Sequence, residues 1–380
     1  MMTEVVIVSA VRTAIAKKGG ALAKVDHTVF GGQVIKEALR RAEVEGESVE
    51  DVILGNCLSG GGNAARKSAL EAGLPIEVPG LTIDRQCGSG INAVALAAEK
   101  ILSGQADIVV AGGTESMSRR PHLLRPATRA YDTFPPQFVS PSLAPKEIGD
   151  PPMGITAENL AEKYEISRSE QDEFSARSQE RMVNAIEQGY FKEQIVPIGE
   201  FDTDEHPRAG TTVEKLSSLR PVFKEGGTVT AGNSSGVNDG ASALVVMSAK
   251  EAKRRGLTPL AVVKDWSVAG VDPNIMGIGP VPAVQKVMKR SGETLDNMDL
   301  IECNEAFAAQ TLAVDRELGF NHDKLNVNGG AISHGHPIAA TGGMLITKLV
   351  YELQRRELKK GLVTACIGGG QGIALIVERP

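Results

Sequence analysis

Apolar and polar positions follow two distinct patterns along the chain. Nearly continuous apolar runs at 5–11 and 105–111 predict strands buried on both faces, the second ending before Gly112. Apolar residues at 31–42 and 91–102 instead recur every three or four positions, which predicts amphipathic helices. Shorter strands are predicted at 49–54 and 81–84. This alternation of strands with helices favours an α/β fold.

The C-terminal third repeats the same order of elements. It has a predicted helix at 282–290 and a strand at 298–302. A glycine-rich turn, a long helix at 342–356 and strands at 361–367 and 373–377 follow. Because helix, strand, glycine-rich turn, helix and strand recur in one order, the sequence predicts two copies of one α/β unit.

The residues between the two copies behave differently. Six prolines fall between positions 135 and 152, and helices are predicted at 157–164 and 169–188, with Ser167 and Ser169 as candidate N-caps. Such a long segment is typical of a functional loop domain, with a plain surface excursion as the alternative. The predicted division is an N-terminal half at 1–118 with 237–258, a loop domain at 119–236 and a C-terminal half at 259–380.

Charge and composition exclude several classes of function. The 380 residues carry a formal charge of −6, so no overall positive field favours nucleic acid, and an anionic ligand needs a local basic patch. No apolar run approaches the about 18 residues that span a membrane. The N-terminus lacks the basic region and cleavage site of a secretion signal. We therefore expect a cytoplasmic protein with no nucleic-acid partner and no membrane span.

The number and spacing of the cysteines also favour a cytoplasmic protein. Cys57, Cys87, Cys303 and Cys366 are far apart and show no CxxC spacing. This predicts neither a disulfide framework nor a zinc site, and reduced thiols in a cytoplasm-like compartment are expected.

Cys87 lies in the run DRQCGSG, between a predicted strand and a predicted helix. Unpaired N–H groups and the helix dipole at such a helix N-terminus favour a thiolate, the nucleophilic form of cysteine. The alternative is a small buried side chain in a packing turn. This motif alone does not separate the two.

A second glycine-dense run, GGAISHGHP, contains His334 and His336. A histidine in such a turn can serve as the base that a nucleophilic cysteine needs. A metal pair is the less favoured interpretation, because no third or fourth ligand stands nearby.

Two further polar motifs follow predicted strands. Cys366 opens CIGGGQG, whose turn can expose N–H groups toward an oxyanion. Asn304 opens NEAF at the carboxyl end of another strand, where α/β folds place their chemistry, although a helix cap is an equal alternative.

Together these motifs resemble the thiolases. The likeness includes CGSG at Cys87, NEAFA at Asn304, GGAIxxGHP at His336 and CIGGGxG at Cys366. It also includes the runs that begin MGITAENLAEKYEIS at Met153 and TVTAGNSSGVNDG at 228–240, and it extends in unbroken order from Val5 to the C-terminus. The resemblance implies a five-layered αβαβα fold of two similar halves, with an inserted loop domain that covers coenzyme A.

The resemblance also implies a role for each motif. Cys87 takes the acyl group, His336 favours the Cys87 thiolate, and Cys366 acts as acid and base at the α-carbon of a second acetyl-CoA. Asn304 holds a water that forms one oxyanion hole with His336 Nε2. The N–H groups of Cys87 and Gly368 form the other.

For coenzyme A, the resemblance implies contacts from Arg208 at the adenine end and Ser235 at the pantetheine arm. The implied apolar wall, for which core packing is the alternative, consists of Met153, Phe223, Met276 and Phe307. Coenzyme A is expected as substrate and product, with acyl-CoA and acetyl-CoA, and no permanently bound cofactor or metal is expected. A homodimer or homotetramer is expected by the same resemblance.

Three positions depart from the family pattern. Pro152 replaces a histidine that many acetyl-specific members carry, and His334 stands where relatives are usually apolar. The run that follows His336 is slightly bulkier than the usual HPxGxSG.

The CGSG form favours acetoacetyl-CoA formation or thiolysis over a broad-chain degradative 3-ketoacyl-CoA thiolase of fatty-acid β-oxidation. Cys366 and Asn304 speak against a ketosynthase, which uses two histidines. A non-catalytic CoA-binding protein is the remote alternative. Acyl chain length and physiological direction are left open.

Overall fold

The computed structural model describes residues 4–131 and 135–380, and within them the chain forms thirteen strands and eleven α-helices. The strands are β1 (Val5–Thr13), β2 (Ala16–Lys17), β3 (Asp51–Gly55), β4 (Gly80–Ile83), β5 (Ile108–Ser116), β6 (Leu123–Leu124), β7 (Phe138–Val139), β8 (Ile195–Val196), β9 (Asn238–Ser248), β10 (Ala261–Gly270), β11 (Leu300–Cys303), β12 (Lys360–Ile367) and β13 (Gln371–Glu378).

The helices are α1 (His27–Arg41), α2 (Ala64–Glu71), α3 (Ser89–Leu102), α4 (Met153–Lys163), α5 (Arg168–Glu187), α6 (Val213–Ser217), α7 (Ala249–Arg255), α8 (Pro280–Ser291), α9 (Ala308–Leu318), α10 (Ala331–His334) and α11 (Ile338–Arg355). In the described parts of the chain, no helix has the length and apolar character needed to cross a membrane.

The strands form two similar groups. The first has the order β4-β3-β5-β9-β1 and the second the order β11-β12-β13-β10, and β1 pairs with β10 where the groups meet. In both groups two neighbouring strands are parallel (β3 with β5, β11 with β12) and the next strand is antiparallel to them. The parallel bridge between Ile301 and Leu325 stands where the first group has β4. The predicted duplication is therefore confirmed.

Five layers follow from how the strands bury their faces. Helices α3 and α11 lie in the centre, in one apolar cluster with residues from both groups of strands. Helices α1 and α2 cover the outer face of the first group, and α8 and α9 cover that of the second. Strand β5 shows the pattern, since Val109 and Ala111 face the centre while Ile108 and Val110 face outward. A strand that is buried on both faces has a nearly continuous apolar sequence, as β5 does. The predicted α/β fold class is confirmed.

Several predicted boundaries were wrong. Helices α1 and α4 each begin four residues earlier than predicted. Strand β5 continues through Gly112 and Gly113 to Ser116, because these glycines lie between paired strands where backbones approach closely. Helix α11 begins four residues earlier than predicted. Ser167 caps α5 as predicted, with a reciprocal bond to Glu170, but Ser169 lies inside the first turn.

The two central helices touch at their N-termini through glycines. A β-carbon added to Gly90 of α3 would lie 2.5 Å from the backbone nitrogen of Gly343 in α11. No side chain larger than hydrogen fits there without displacing backbone. This contact brings the turn before α3, which carries Cys87, close to the turn before α11, which carries His336.

Candidate active site

The four polar motifs converge at one place in the fold. Asn304 and Cys366 lie at the carboxyl ends of the parallel strands β11 and β12. The turn before α3 packs on the end of β12, since a β-carbon added to Gly88 would lie 2.5 Å from Ile367 Cδ1. The carboxyl ends of parallel strands are where open α/β sheets place their ligands.

Cys87 lies in the short 3₁₀ turn Gln86–Gly88, immediately before α3. The preceding residue, Gln86, has a φ of 43°, a left-handed conformation that costs energy for a non-glycine residue and that is typical of functional sites. The N–H groups of Gly368 and of Cys87 itself face the Cys87 sulfur and lower the pKa, but burial dominates and raises it to about 11. Burial therefore favours the neutral thiol of Cys87 over its thiolate at neutral pH.

Cys366 is fully buried, and its pKa is raised well above the usual range by burial and by the neighbouring Cys87 and Cys303 thiols. The Cys87 thiol is thus close enough to raise the pKa of Cys366. Asn304 is held by a hydrogen bond of 2.9 Å from its N–H group to the Thr364 carbonyl. Its side-chain Oδ1 and Nδ2 have no partner within residues 4–131 and 135–380, although both are buried.

His336 is held by both its backbone and its ring. Its N–H group donates to Asn238 Oδ1 at 2.9 Å, and its ring Nδ1 lies 2.7 Å from Thr341 Oγ1. The buried Nε2 atom has no partner among the described residues. Burial lowers the pKa of His336 to about 4, so the ring is neutral and can accept a proton.

The remaining cysteines and His334 lie outside this set. Cys303 is fully buried, whereas Cys57 is only half-buried, with its sulfur 3.3 Å from Ser89 Oγ. His334 donates from Nδ1 to the Gly335 carbonyl at 2.7 Å, which accounts for part of its polarity in the core. The described residues hold no cluster of three or more metal-ligating side chains.

The structure brings together most of the residues predicted to contact coenzyme A. Met153, Met276 and Phe307 share one apolar cluster with Cys366. The ring of Phe223 meets that of Phe307 edge to face, with 6.0 Å between centroids. Ser235 is adjacent, because its N–H group donates to the Ala306 carbonyl at 2.9 Å.

Arg208 occupies a different position. It lies in a surface groove beside α5 together with Arg177, Glu180 and Thr211, and its N–H group donates to Gln179 Oε1 at 2.8 Å. The same groove is lined by Glu173, Glu180 and Glu187, so its two arginines do not make a net basic patch of the kind expected for an anionic ligand.

Sequence reasoning missed three residues that shape the site. Asn238 and Thr341 bind His336, and Leu143 covers the glycine turn, lying 3.0 Å from a β-carbon added to Gly368. Asn238 lay within the run at 228–240 that carried the thiolase resemblance, which was the available signal, whereas Thr341 lay in the run after His336 that departs from the family pattern. Leu143 lies in a proline-rich segment whose path has no local sequence signature.

Comparison with known proteins identifies the class that this fold and site define. Models of the thiolase N-terminal and C-terminal domains match residues 5–250 and 257–379. The chain therefore belongs to the thiolase family.

Individual relatives are similar over the whole chain. An acetyl-CoA acetyltransferase of Cupriavidus necator is 50% identical, with 100% of both chains covered. The crystal structure of the Bacillus anthracis acetyl-CoA acetyltransferase is 46% identical with a TM-score of 0.95, covering 100% of this chain and 99% of that one. A human mitochondrial 3-ketoacyl-CoA thiolase in complex with CoA is 43% identical with a TM-score of 0.95, covering 100% and 98%.

Proposed function

We propose that the protein is an acetyl-CoA C-acetyltransferase that forms or cleaves acetoacetyl-CoA through an acetyl-Cys87 intermediate. The observation that carries this proposal is the pairing of two thiols at one site. Gly88, next to Cys87, packs against Ile367, next to Cys366, and the Cys87 thiol helps to raise the pKa of Cys366. The Gly368 N–H group faces the Cys87 sulfur. A nucleophile and a separate acid–base group at one carbon centre are what a two-step condensation requires.

In the first step, His336 Nε2 takes the Cys87 proton while the sulfur attacks the acetyl-CoA carbonyl. The carbonyl oxygen becomes negative and is stabilised by the Cys87 and Gly368 N–H groups, each oxyanion donor contributing about 10²–10³ in rate. Coenzyme A leaves with the proton of Cys366. The site then holds acetyl-Cys87, protonated His336 and the Cys366 thiolate.

In the second step, the Cys366 thiolate removes an α-proton from a second acetyl-CoA. The enolate oxygen is stabilised by His336 Nε2–H and by a water held on Asn304. The enolate carbon attacks acetyl-Cys87, acetoacetyl-CoA leaves, and the released Cys87 thiolate recovers its proton from His336. All three groups return to their starting states, and thiolysis follows the same steps in reverse.

Coenzyme A is proposed to lie under the loop domain at 119–236, since Met153 and Phe223 of that segment reach the cluster around Cys366. Ser235 would contact the pantetheine arm, and Arg208 the adenine end. The CoA complex of the human relative supports this class of ligand. Free thiols at Cys87 and Cys366 suit the predicted cytoplasmic location.

Self-association is also proposed. Strand β4 ends the sheet and exposes Leu81, and the β6–β7 hairpin exposes Leu124 and Phe138, the last to 74%. Exposed strand edges and apolar side chains of this kind are typical of interfaces. Sedimentation of the intact protein should give a dimer or tetramer, and a monomer would contradict this.

Brief exposure to acetyl-CoA should acetylate Cys87, because it is the thiol at which the Gly368 N–H group can hold the oxyanion. Intact-protein mass spectrometry followed by peptide mapping should place one acetyl group on Cys87. Cys87→Ala should stay unmodified, while Cys303→Ala, which removes a buried thiol of the same size, should be acetylated like the natural protein. Acetylation elsewhere, or none, would contradict the mechanism.

A broad-chain 3-ketoacyl-CoA thiolase is the second candidate, favoured by the likeness to the human mitochondrial enzyme. Thiolysis rates with acetoacetyl-CoA and 3-ketohexadecanoyl-CoA separate the two. Higher kcat/KM for acetoacetyl-CoA is the expected result, because Leu143 and Met153 both lie close to the Gly368 turn and narrow the acyl site. Preference for the long chain would select the second candidate.

A further inference from the structure

Thr341 is the residue that contacts the His336 ring. Its hydroxyl lies 2.7 Å from His336 Nδ1 and 3.1 Å from the Pro337 carbonyl, one turn back in α11. Thr341 is fully buried. We propose that Thr341 is a positioning residue that holds His336 in the tautomer with the proton on Nδ1, leaving the Nε2 lone pair for the Cys87 proton.

The hydrogen-bond inventory decides between the two tautomers. With the proton on Nδ1, His336 donates to Thr341 and the hydroxyl donates to the Pro337 carbonyl, which makes two hydrogen bonds. With the proton on Nε2, the hydroxyl must turn to donate to Nδ1, which leaves one bond and a buried Nε2–H without a partner among the described residues. One additional hydrogen bond corresponds to roughly fivefold in population, in favour of the first tautomer.

Other contacts fix the backbone and leave the ring to Thr341. Asn238 Oδ1 accepts the His336 N–H group and Asn238 Nδ2 donates to the Ala16 carbonyl at 3.0 Å, so the main chain at His336 is anchored to strand β2. Gly335 has a φ of 98°, and its carbonyl accepts from the His334 ring. Removing the Thr341 hydroxyl therefore affects the ring more than the path of the chain.

The same contact serves both protonation states of His336. Nδ1 carries a proton whether the ring is neutral or positive, so Thr341 accepts throughout and nothing turns during the reaction. The bond becomes charge-assisted when Nε2 takes the Cys87 proton, which strengthens it at the moment of attack. A neutral orienting group suffices because the ring needs only a fixed tautomer and direction.

The test uses the intact protein and two matched variants, and it rests on the proposed function only in its kinetic part. Thr341→Val has nearly the same shape without the hydroxyl, and Thr341→Ser keeps the hydroxyl. Nitrogen-15 NMR of labelled histidines, with His336 assigned from His336→Gln, should show a protonated Nδ1 and an unprotonated Nε2 in the natural protein and in Thr341→Ser. Thr341→Val should lose this preference.

In kinetics, kcat for exchange of labelled CoA into acetyl-CoA should fall about 10- to 100-fold in Thr341→Val, the range of one charge-assisted hydrogen bond. KM should change little, and Thr341→Ser should restore most of kcat. A merely structural role would instead change KM and thermal stability together with kcat.

Two results would overturn the inference: a protonated Nε2 in the natural protein, or a Thr341→Val variant with natural kcat. If Thr341→Val does not fold, the NMR spectrum of the natural protein decides alone. If the tautomer is as expected but acetyl-CoA acetylates Cys87 neither in the natural protein nor in the variants, the inference about Thr341 stands and the proposed function fails.

Discussion

Replacing Cys366 with alanine should leave acetyl transfer to Cys87 largely intact but stop carbon–carbon bond formation and cleavage. In the proposed mechanism, acetyl transfer needs the Cys87 sulfur, the His336 base and the Gly368 N–H group, and the departing thiolate can be protonated by water. Removal of the α-proton has no second base in the described site, because His336 is protonated at that stage. General acid–base groups contribute about 10²–10⁴ in rate, so acetoacetyl-CoA thiolysis should fall by at least that range.

Two assays separate these effects. Exchange of labelled CoA into acetyl-CoA reports the acetyl transfer, and acetoacetyl-CoA thiolysis reports the complete reaction. Cys303→Ala is the matched control, since it truncates another fully buried cysteine one strand away. It should lower stability slightly and leave the ratio of the two activities unchanged. An equal fall of both activities in Cys366→Ala would show that Cys366 does not act separately.

Replacing Lys348 with alanine should destabilise the protein by about 3–5 kcal/mol, the usual effect of leaving one partner of a buried ion pair without the other. Lys348 Nζ lies 3.0 Å from Glu302 Oε2 and 2.7 Å from the Gly329 carbonyl, and both side chains are almost fully buried. The double variant Lys348→Met with Glu302→Leu, which removes both charges, should recover most of the loss. Thermal or urea unfolding measures each variant.

The pH dependence gives an independent check. Burial raises the pKa of Glu302 to about 7 even with Lys348 beside it. Since this is above the ordinary value, protonation of Glu302 favours the folded state, an effect fully present below about pH 4.5 and lost as pH rises through 7. Without Lys348, burying the ionised Glu302 carboxylate costs more free energy. The destabilisation of Lys348→Ala should therefore be largest above pH 7 and decrease toward pH 5. A pH-independent difference would show that Glu302 is not the group involved.

Much of this site was predictable because its motifs are local. Cys87 and Asn304 follow recognisable strands and Cys366 lies near the end of another, so their position at the sheet edge follows from the order of elements. The two copies of the α/β unit were also predictable from the sequence, because strands buried on both faces have continuous apolar runs that recur in the same order. Their meeting in space came from the thiolase resemblance, because no single run indicates which distant motif it touches.

The contacts that tune the site could not be read from the sequence. Asn238 binds His336 across 98 positions, and Lys348 reaches Glu302 across 46. Such pairs depend on how α11 lies against the strands, which the apolar pattern does not specify. A lysine on an otherwise apolar helix face looks like a solvated charge until the partner carboxylate is located. The early start of α11 was missed because Pro337 and the glycines after it suggest a turn.

The glycine contact between α3 and α11 fixes one part of the candidate site, while other parts tolerate a change of side chain. Main chain meets main chain at Gly90 and Gly343, so the spacing of the turns that carry Cys87 and His336 is set by the packing of two helices. Under the proposed function, adaptation to other acyl groups would involve Leu143 and Met153 beside the Gly368 turn, where side chains rather than main chain make the contact. An engineer seeking a longer substrate would vary those two positions and leave the helix crossing alone.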